Sequence, residues 1–398
     1  MFAVRASQVF DGSAMVPGAG TVLVRDGRIA GITPAGAPVP DGCPVIDFDG
    51  ATVLPGLIDA HVHLCADSGL GALDRLAQFS AEHLDQVIEA ALRANLAAGV
   101  TTVRDLGDRH WAVLPWRERA DPTLPTVLAS GPPLTSPGGH CWNMGGEVAG
   151  PDALRAAVAE RVERRVDVVK IMASGGVLTP GTDVAACQFT LDELRAVTEQ
   201  AHAAGLPVTA HAHALAAIRL AVEAGVDGIE HCSFVTESGH DVPEDLVRAM
   251  AAQSIAVCPT LGQVPGMAPQ GPIVEQIRRT GLTFERRGEI AAGQHAAGVT
   301  MISGTDAGIG PAKPHGVLPH AVARLVEGGV SSADALASAT SVAAMALNLA
   351  GRKGRLAEGY DADLLVVAGD PVRDVAALTE VLAVFTRGHR AEIAPVRR

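Results

Sequence analysis

Short apolar runs alternate with longer amphipathic segments through the central part of the chain. Eight runs of apolar or β-branched residues recur at spacings of roughly 20 to 45 residues, and helix-like patterns separate several of them. The runs cover residues 54–64, 100–107, 125–132, 167–174, 206–213, 226–233, 254–261 and 299–306. Repeated βα units form parallel sheets, and eight of them over about 300 residues predict an α/β fold that closes as a (β/α)₈ TIM barrel. An open, doubly wound sheet is the alternative.

Two of the intervening segments carry detailed helix signals. In 151–165 apolar residues repeat at helical spacing, and Pro151 suits the first helical turn. Thr190 and Glu193 form a capping box at the start of a second amphipathic segment, for which Gly205 is a stop signal.

The two ends of the chain follow a different pattern. Residues 2–50 and 359–390 alternate apolar and polar positions between turn signals, which is typical of antiparallel strands. We therefore expect two domains. A small β-sandwich would be formed by residues 1–52 and 353–398, and the barrel would span 53–352.

Composition narrows the class of protein and its partners. The chain has 398 residues, of which 48% are apolar, so a sizeable core is expected. Lys and Arg number 31 against 44 Asp and Glu, a net charge of −13 that argues against nucleic acid and anionic membranes as partners. We expect a homo-oligomer that acts on a small-molecule substrate.

The lack of a recognisable targeting segment and the spacing of the cysteines predict a cytoplasmic protein. No apolar run reaches the roughly 18 residues needed to cross a bilayer, and the first residues lack the apolar segment of a signal peptide. The six cysteines are dispersed and include no C-x-x-C pair, as expected for reduced thiols.

The first candidate for chemistry is the pair His61 and His63. Residues i and i+2 of a strand share a face, so both imidazoles would point to one side and could chelate zinc, manganese or a similar ion. A pair of hydrogen-bonded core histidines is the alternative.

Lys170 lies inside the otherwise apolar run 167–174. Burying a charged lysine without a partner is costly, so a depressed pKa is one explanation. The neutral amine could then react with carbon dioxide to give a carbamate, an anionic ligand able to bridge two metals. Alternatively, the side chain reaches solvent or a carboxylate.

Three further polar residues stand where later strands should end: His211, His231 and Asp306. Barrel active sites are built at the carboxyl ends of the strands. Any one of these residues alone is more often structural, but together with the first histidines and the lysine they indicate one site.

These motifs, in their order along the chain, resemble the amidohydrolase superfamily. They are HVH after LPGLIDA, VKIMASGG, AHAH, IEHC and SGTDAG. The similarity is greatest to the imidazolonepropionase-like group, which includes Xaa-Pro dipeptidases, and it extends to the C-terminal DADLLVVAGDP.

The resemblance implies a binuclear centre of two divalent metal ions, zinc in the first place with manganese as the alternative. His61, His63 and Asp306 would hold one ion, His211 and His231 the other, and carbamylated Lys170 would bridge them. Asp306 would also take the proton from the bridging hydroxide.

Departures from the group concern the substrate. Where the Xaa-Pro dipeptidase relatives have a tyrosine that contacts the substrate carboxylate, this chain has His213, and its single tyrosine, Tyr360, is distant in sequence. Imidazolonepropionase and related deaminases carry a glutamate at the position of Ala214. Both differences argue against assigning the substrates of those relatives to this chain.

Loops supply the remaining candidates. The glycine-rich segment 136–147 suits a loop that closes on a ligand, with His140 and Trp142 as substrate contacts. His315 is a further candidate, and the Pro/Gly-rich start of 262–298 could cover the site.

The sequence therefore predicts a binuclear, metal-dependent hydrolase that cleaves an amide bond of a dipeptide-like or N-acyl amino acid substrate. A mononuclear deaminase or cyclic-amide hydrolase, in which Lys170 is unmodified, is the alternative enzyme. A non-catalytic barrel scaffold is the alternative outside enzymes, but such a protein would be expected to have lost ligands.

Overall fold

The computed structural model describes residues 1–119 and 121–392. The strands, in chain order, are β1 Phe2–Val9, β2 Ala19–Arg25, β3 Arg28–Pro34, β4 Val45–Pro55, β5 Leu57–Val62, β6 Val100–Asp105, β7 Thr126–Ala129, β8 Val169–Met172, β9 Val208–Ala214, β10 Gly228–Val235, β11 Ala256–Cys258, β12 Thr300–Met301, β13 Leu364–Ala368, β14 Val381–Thr386 and β15 His389–Arg390.

The α-helices are α1 Ala72–Arg75, α2 Ala81–Ala97, α3 Leu114–Arg119, α4 Pro151–Glu163, α5 Leu191–Ala203, α6 Leu215–Ala224, α7 Glu244–Ala252, α8 Pro272–Thr280, α9 Phe284–Ala296, α10 Leu318–Gly328, α11 Ser332–Ser338 and α12 Ser341–Ala346. None of these described helices is long and apolar enough to span a bilayer.

Strands β5 to β12 correspond to the eight apolar runs of the sequence, one strand to each run. Their pairings are parallel, and at least one helix lies between each strand and the next. Parallel neighbours need such crossover connections. The predicted succession of eight βα units is confirmed.

Within the described residues the eight strands do not form one continuous sheet, so closure of the predicted barrel is not confirmed. Strands β5 to β7 form one sheet and β8 to β12 a second. Single bridges link the two, between Leu134 and Ile171 and between Val62 and Ala307. The seam strands β7 and β12 have only four and two residues, so regular pairing stops there. The result is a TIM-barrel-like α/β fold.

The two chain ends meet in a separate seven-stranded sheet of order β15-β14-β13-β4-β1-β2-β3. Strand β4 connects them, because it pairs parallel with β1 and antiparallel with β13. All seven strands belong to one sheet, so the predicted β-sandwich is not confirmed. Residues 393–398, which the predicted domain included, lie outside the described residues.

The two helix starts that the sequence signals are present. Pro151 is at the beginning of α4, where its missing N–H costs nothing. At α5 the Thr190 hydroxyl accepts from the backbone N–H of Glu193, whose carboxylate accepts in return from the backbone N–H of Thr190. Gly205 follows α5 with a φ of 73°, a conformation that favours glycine.

Candidate active site

Side chains from the carboxyl ends of several strands converge on one cavity. The six predicted ligands all line it: His61, His63, Lys170, His211, His231 and Asp306. They come from β5, β8, β9 and β10 and from the segments that follow β5 and β12. This is the end of a parallel α/β barrel at which active sites are built.

His61, His63 and Asp306 form the first group of ligand atoms, all within 4.8 Å of one another. Asp306 Oδ1 lies 3.4 Å from His61 Nε2 and 3.2 Å from His63 Nε2, and the two Nε2 atoms are 3.4 Å apart. Two imidazole nitrogens and a carboxylate oxygen that face one point suit a zinc or manganese ion.

The second group is formed by His211, His213 and His231, whose ring nitrogens also lie within 4.8 Å of one another. Hydrogen bonds orient the rings. His231 Nδ1 is 2.8 Å from Thr260 Oγ1, and His213 Nδ1 is 3.0 Å from Ser233 Oγ. His213, which the sequence predicts as a substrate contact, thus lies beside the two predicted ligands His211 and His231.

Lys170 is 1% exposed on strand β8. Within the described part of the chain, its Nζ has no hydrogen bond or ion pair. Burial lowers the pKa of Lys170, and the charges of Glu230 and Asp306 oppose that effect without reversing it. A larger share of the neutral amine is therefore present than in an exposed lysine, and this amine is the form that can be carbamylated.

Burial also favours neutral imidazoles at the site. It lowers the pKa of His61 to about 4 and that of His140 to about 3. His63 differs, because its contact with Asp306 raises its pKa against the effect of burial. Since a histidine binds metal as the neutral base, the donor set fits a divalent ion, with Asp306 as an anionic ligand.

Asp306 is held as a carboxylate. Burial by itself would raise its pKa, but the hydrogen bond with His63 and the charges of His61 and Lys313 bring the pKa well below its usual range. The group is therefore ionised at neutral pH, and its oxygens are available to bind a metal ion or to accept a proton.

Glu230, which the sequence analysis did not select, orients the first histidine. Its Oε2 lies 2.8 Å from His61 Nδ1, so that Nε2 of the same ring is left to face Asp306. Arg104 and Thr209 donate to the other oxygen, Oε1. An acidic residue inside an apolar strand was a signal for such a role, because a buried carboxylate needs partners.

The backbone at the site adopts conformations that side chains rarely allow. His231, Thr260 and Asp306 have φ values of 67°, 51° and 62°. Residues in the left-handed region are held there at an energetic cost and are concentrated at functional sites. Here the left-handed backbone directs the predicted ligands His231 and Asp306 into the cavity. It does the same for Thr260, which contacts His231.

Comparison with known proteins agrees with this geometry. The profile of the Amidohydrolase family matches residues 52–391, which include both ligand groups and Lys170. The chain belongs to the amidohydrolase family.

Three relatives show how far the similarity of this amidohydrolase extends. Ochratoxinase of Aspergillus niger is 27% identical over 361 residues, which are 83% of this chain and 73% of that protein. Imidazolonepropionase of Salinispora tropica is 29% identical over 368 residues, 87% and 85% of the two chains. The crystal structure of a Xaa-Pro dipeptidase with methionine bound in its active site matches with a TM-score of 0.84 at 26% identity, over 98% and 99% of the chains.

The four residues predicted to contact substrate fall into two pairs. His140 and His213 line the cavity, and the His140 ring centre is 4.5 Å from that of His211. Trp142 is 48% exposed and does not line it. His315 Nε2 instead lies 3.0 Å from the carbonyl oxygen of Ala66, also away from the cavity lining. The structure gives no support to substrate contact by Trp142 or His315.

Proposed function

We propose that this amidohydrolase cleaves an amide bond of a small peptide-like or N-acyl amino acid substrate with two divalent metal ions. The observation that carries the proposal is that Lys170, which is buried and has no hydrogen-bond partner among the described residues, shares one cavity with two groups of metal-ligand atoms. Family membership supports metal-dependent hydrolysis. The Xaa-Pro dipeptidase relative, whose structure has methionine bound in the active site, favours a substrate that contains an amino acid.

In the proposed centre His61, His63 and Asp306 would hold one ion and His211 and His231 the other. The neutral amine of Lys170 would add carbon dioxide and release a proton, which gives a carbamate with two oxygens for the two ions. Bound divalent ions would make a water molecule more acidic and polarise the substrate carbonyl.

Asp306 would accept the proton of the attacking water and return it to the leaving amine. Two features support this role: the carboxylate is ionised, and its Oδ1 is directed at the two histidines of the first group. A carboxylate in contact with the reacting water is well placed for general acid–base catalysis. His140 and His213, which line the same cavity, would orient the substrate.

We also propose a division of the chain into a closed barrel, 53–352, and a β-sandwich domain built from 1–52 and 353–398. The single bridges at the two seams support closure. A separate apolar cluster, whose buried members fall between Val4 and Val53 and between Leu356 and Phe385, supports an independent core.

A substrate screen tests the activity. Protein prepared with bicarbonate and either zinc or manganese is assayed for amine release from libraries of dipeptides and N-acyl amino acids. We expect turnover that chelation abolishes and that Asp306→Asn greatly reduces. Since one relative is an imidazolonepropionase, cyclic amides are assayed in parallel. Turnover of cyclic amides alone would contradict the proposed substrate class.

A further inference from the structure

The cavity has a second wall that the metal chemistry does not use. Helices α8 and α9, with the turn between them, contribute apolar side chains to the cavity lining: Ile273, Ile277, Leu282 and Phe284. They belong to the segment for which the sequence predicted a covering loop. An apolar wall of this kind suits a hydrophobic substrate group.

Two cationic side chains also line this wall, those of Arg287 in α9 and of Lys313 in the segment before α10. Both lie beside the Phe284 ring, at 5.3 Å from its centre for the guanidinium carbon and 5.6 Å for the lysine Nζ. Across the residues that the structure describes, neither cation has a carboxylate within 4.0 Å.

Arg287 uses only part of its hydrogen-bonding capacity. Its Nη2 donates to the carbonyl oxygen of Pro259 at 2.6 Å and to Thr260 Oγ1 at 2.9 Å. Its Nε is buried, and among the described residues no acceptor contacts it. A guanidinium has five N–H donors arranged to bind a carboxylate through two of them.

Lys313 is held close by. It is 7% exposed, and its Nζ donates to the carbonyl oxygens of Thr260 and Thr305 at 2.9 and 2.7 Å. Burial lowers its pKa to about 8, against the opposing charge of Asp306. The amine therefore remains largely cationic at neutral pH and adds positive charge to the same wall.

The neighbouring Arg286, on the same helix, is an ordinary surface arginine and serves as a comparison for Arg287. Arg286 is about half exposed and pairs with Glu289 at 2.7 Å. Arg287, one residue later, lines the cavity and forms no ion pair with any of the described residues. Withdrawing a cation from water is unfavourable unless an anion compensates, so this cavity is suited to receive one.

We propose that Arg287, assisted by the charge of Lys313, binds the carboxylate of the substrate, and that the adjoining apolar wall receives a hydrophobic group. The substrate would then be an N-acyl or peptidyl derivative of an amino acid with a free carboxylate. This substrate class rests on the proposed function, whereas the anion site itself can be tested without catalysis.

A positioning role is the competing explanation, because Arg287 contacts Thr260 and Thr260 contacts His231. Loss of the arginine would then disturb a metal ligand and weaken every ligand of the cavity equally. The charge of the ligand separates the two explanations.

Calorimetry measures how tightly the metal-loaded enzyme binds a charged ligand and a neutral one of the same shape. The charged ligand is 3-phenylpropanoate, and its neutral isostere is 3-phenylpropanamide. Arg287→Gln should weaken binding of the carboxylate about tenfold to a hundredfold, as expected for a charged hydrogen bond, and leave the amide within about twofold. Arg286→Gln is the matched control and should change neither. Arg287→Lys, which keeps the charge, should recover part of the carboxylate affinity.

Two results would overturn the proposal. Carboxylate affinity that is unchanged in Arg287→Gln would show that the anion binds elsewhere, for example at the metals. Equal weakening of both ligands together with a fall in metal content would show a positioning role. Neither result depends on amide hydrolysis, so a failed substrate screen together with Arg287-dependent binding would reject the reaction and retain the anion site.

Discussion

At the scale of single residues, the candidate site is defined by polar groups buried away from water. Lys170 forms no ion pair within the described part of the chain, whereas Glu230 has hydrogen-bond partners at both carboxylate oxygens. Burial disfavours the charged form of both groups, but partners reverse the effect for Glu230 and bring its pKa well below its usual range. Lys170 thus has a larger neutral fraction than an exposed lysine, and Glu230 is held as a carboxylate beside His61.

Substitution of Lys170 tests the carbamate. Lys170→Ala should lose most activity and the paired metal site, and small carboxylic acids such as acetate should restore part of the activity by supplying the missing oxygens. Lys170→Arg is the control, since it keeps a cation that cannot be carbamylated and should also be inactive. Full activity of the alanine variant would assign the lysine a purely structural role.

Asp306 is expected to act as the base. Asp306→Asn retains an oxygen that can approach a metal ion but cannot accept the proton. The kcat should fall by about two orders of magnitude or more, in line with general-base contributions. Circular dichroism should show an intact fold. A variant within about threefold of the parent kcat would reject this assignment.

Glu230 is expected to act through His61. Glu230→Gln leaves a hydrogen-bonding partner for Nδ1 but removes its negative charge, so metal affinity should fall about tenfold to a hundredfold, as for other carboxylates that support metal-binding histidines. Glu237→Gln, at an exposed position just beyond β10, is the matched control. Competition with a metal-chelating dye measures both variants, and equal affinities would disprove the supporting role.

At the scale of the elements, strand alternation explains most of the site but not the end of β10. Strict alternation would send Glu230 and His231 to opposite faces of the sheet. The positive φ of His231 and the shifted register between His231 and Val235 break that alternation. Glu230 contacts His61, and the His231 ring lies 5.4 Å from that of His61, so both reach the same interior.

The role of His213 on β9 follows from alternation, because it shares a face with His211. We expect His213→Ala to retain two metal ions and to lose about 1–3 kcal/mol in kcat/KM, the effect of one buried polar contact. Metal analysis and steady-state kinetics are measured on the same preparation. Loss of one ion would show that His213 is itself a ligand, as its proximity to His211 and His231 allows.

At the scale of the whole molecule, the site joins elements far apart in the chain. Its ligands come from both the three-stranded and the five-stranded sheet and from the segment after β12. Metal binding would therefore stabilise the contacts between the sheets as well as the site. A ligand that binds only the folded state raises its stability in proportion to the logarithm of its concentration over Kd.

The metal content of the whole protein is the corresponding prediction. Six candidate ligands exceed the four of a tetrahedral ion, so protein saturated with divalent metal and bicarbonate should hold about two ions per chain. Chelation should lower Tm, and added metal should restore it. A reproducible content of one ion at full activity would contradict the binuclear centre.

The sequence by itself determined the succession of eight strands and the positions of the candidate ligands near their ends. It could do so because apolar runs, capping residues such as Thr190 and polar strand ends are local features. The interpretation of His61, Lys170 and Asp306 as one site needed only the rule that parallel strands end at one edge.

Only the tertiary structure decided what depends on distant contacts. Glu230 supports His61 across 169 residues, and Arg287 faces the cavity while its neighbour Arg286 faces solvent. Trp142 and His315, adjacent in sequence to good candidates, lie away from the cavity lining. The arrangement of the strands in two sheets likewise depends on how far each strand pairs with its neighbour. These outcomes follow from packing among separate elements, which no local pattern of residues encodes.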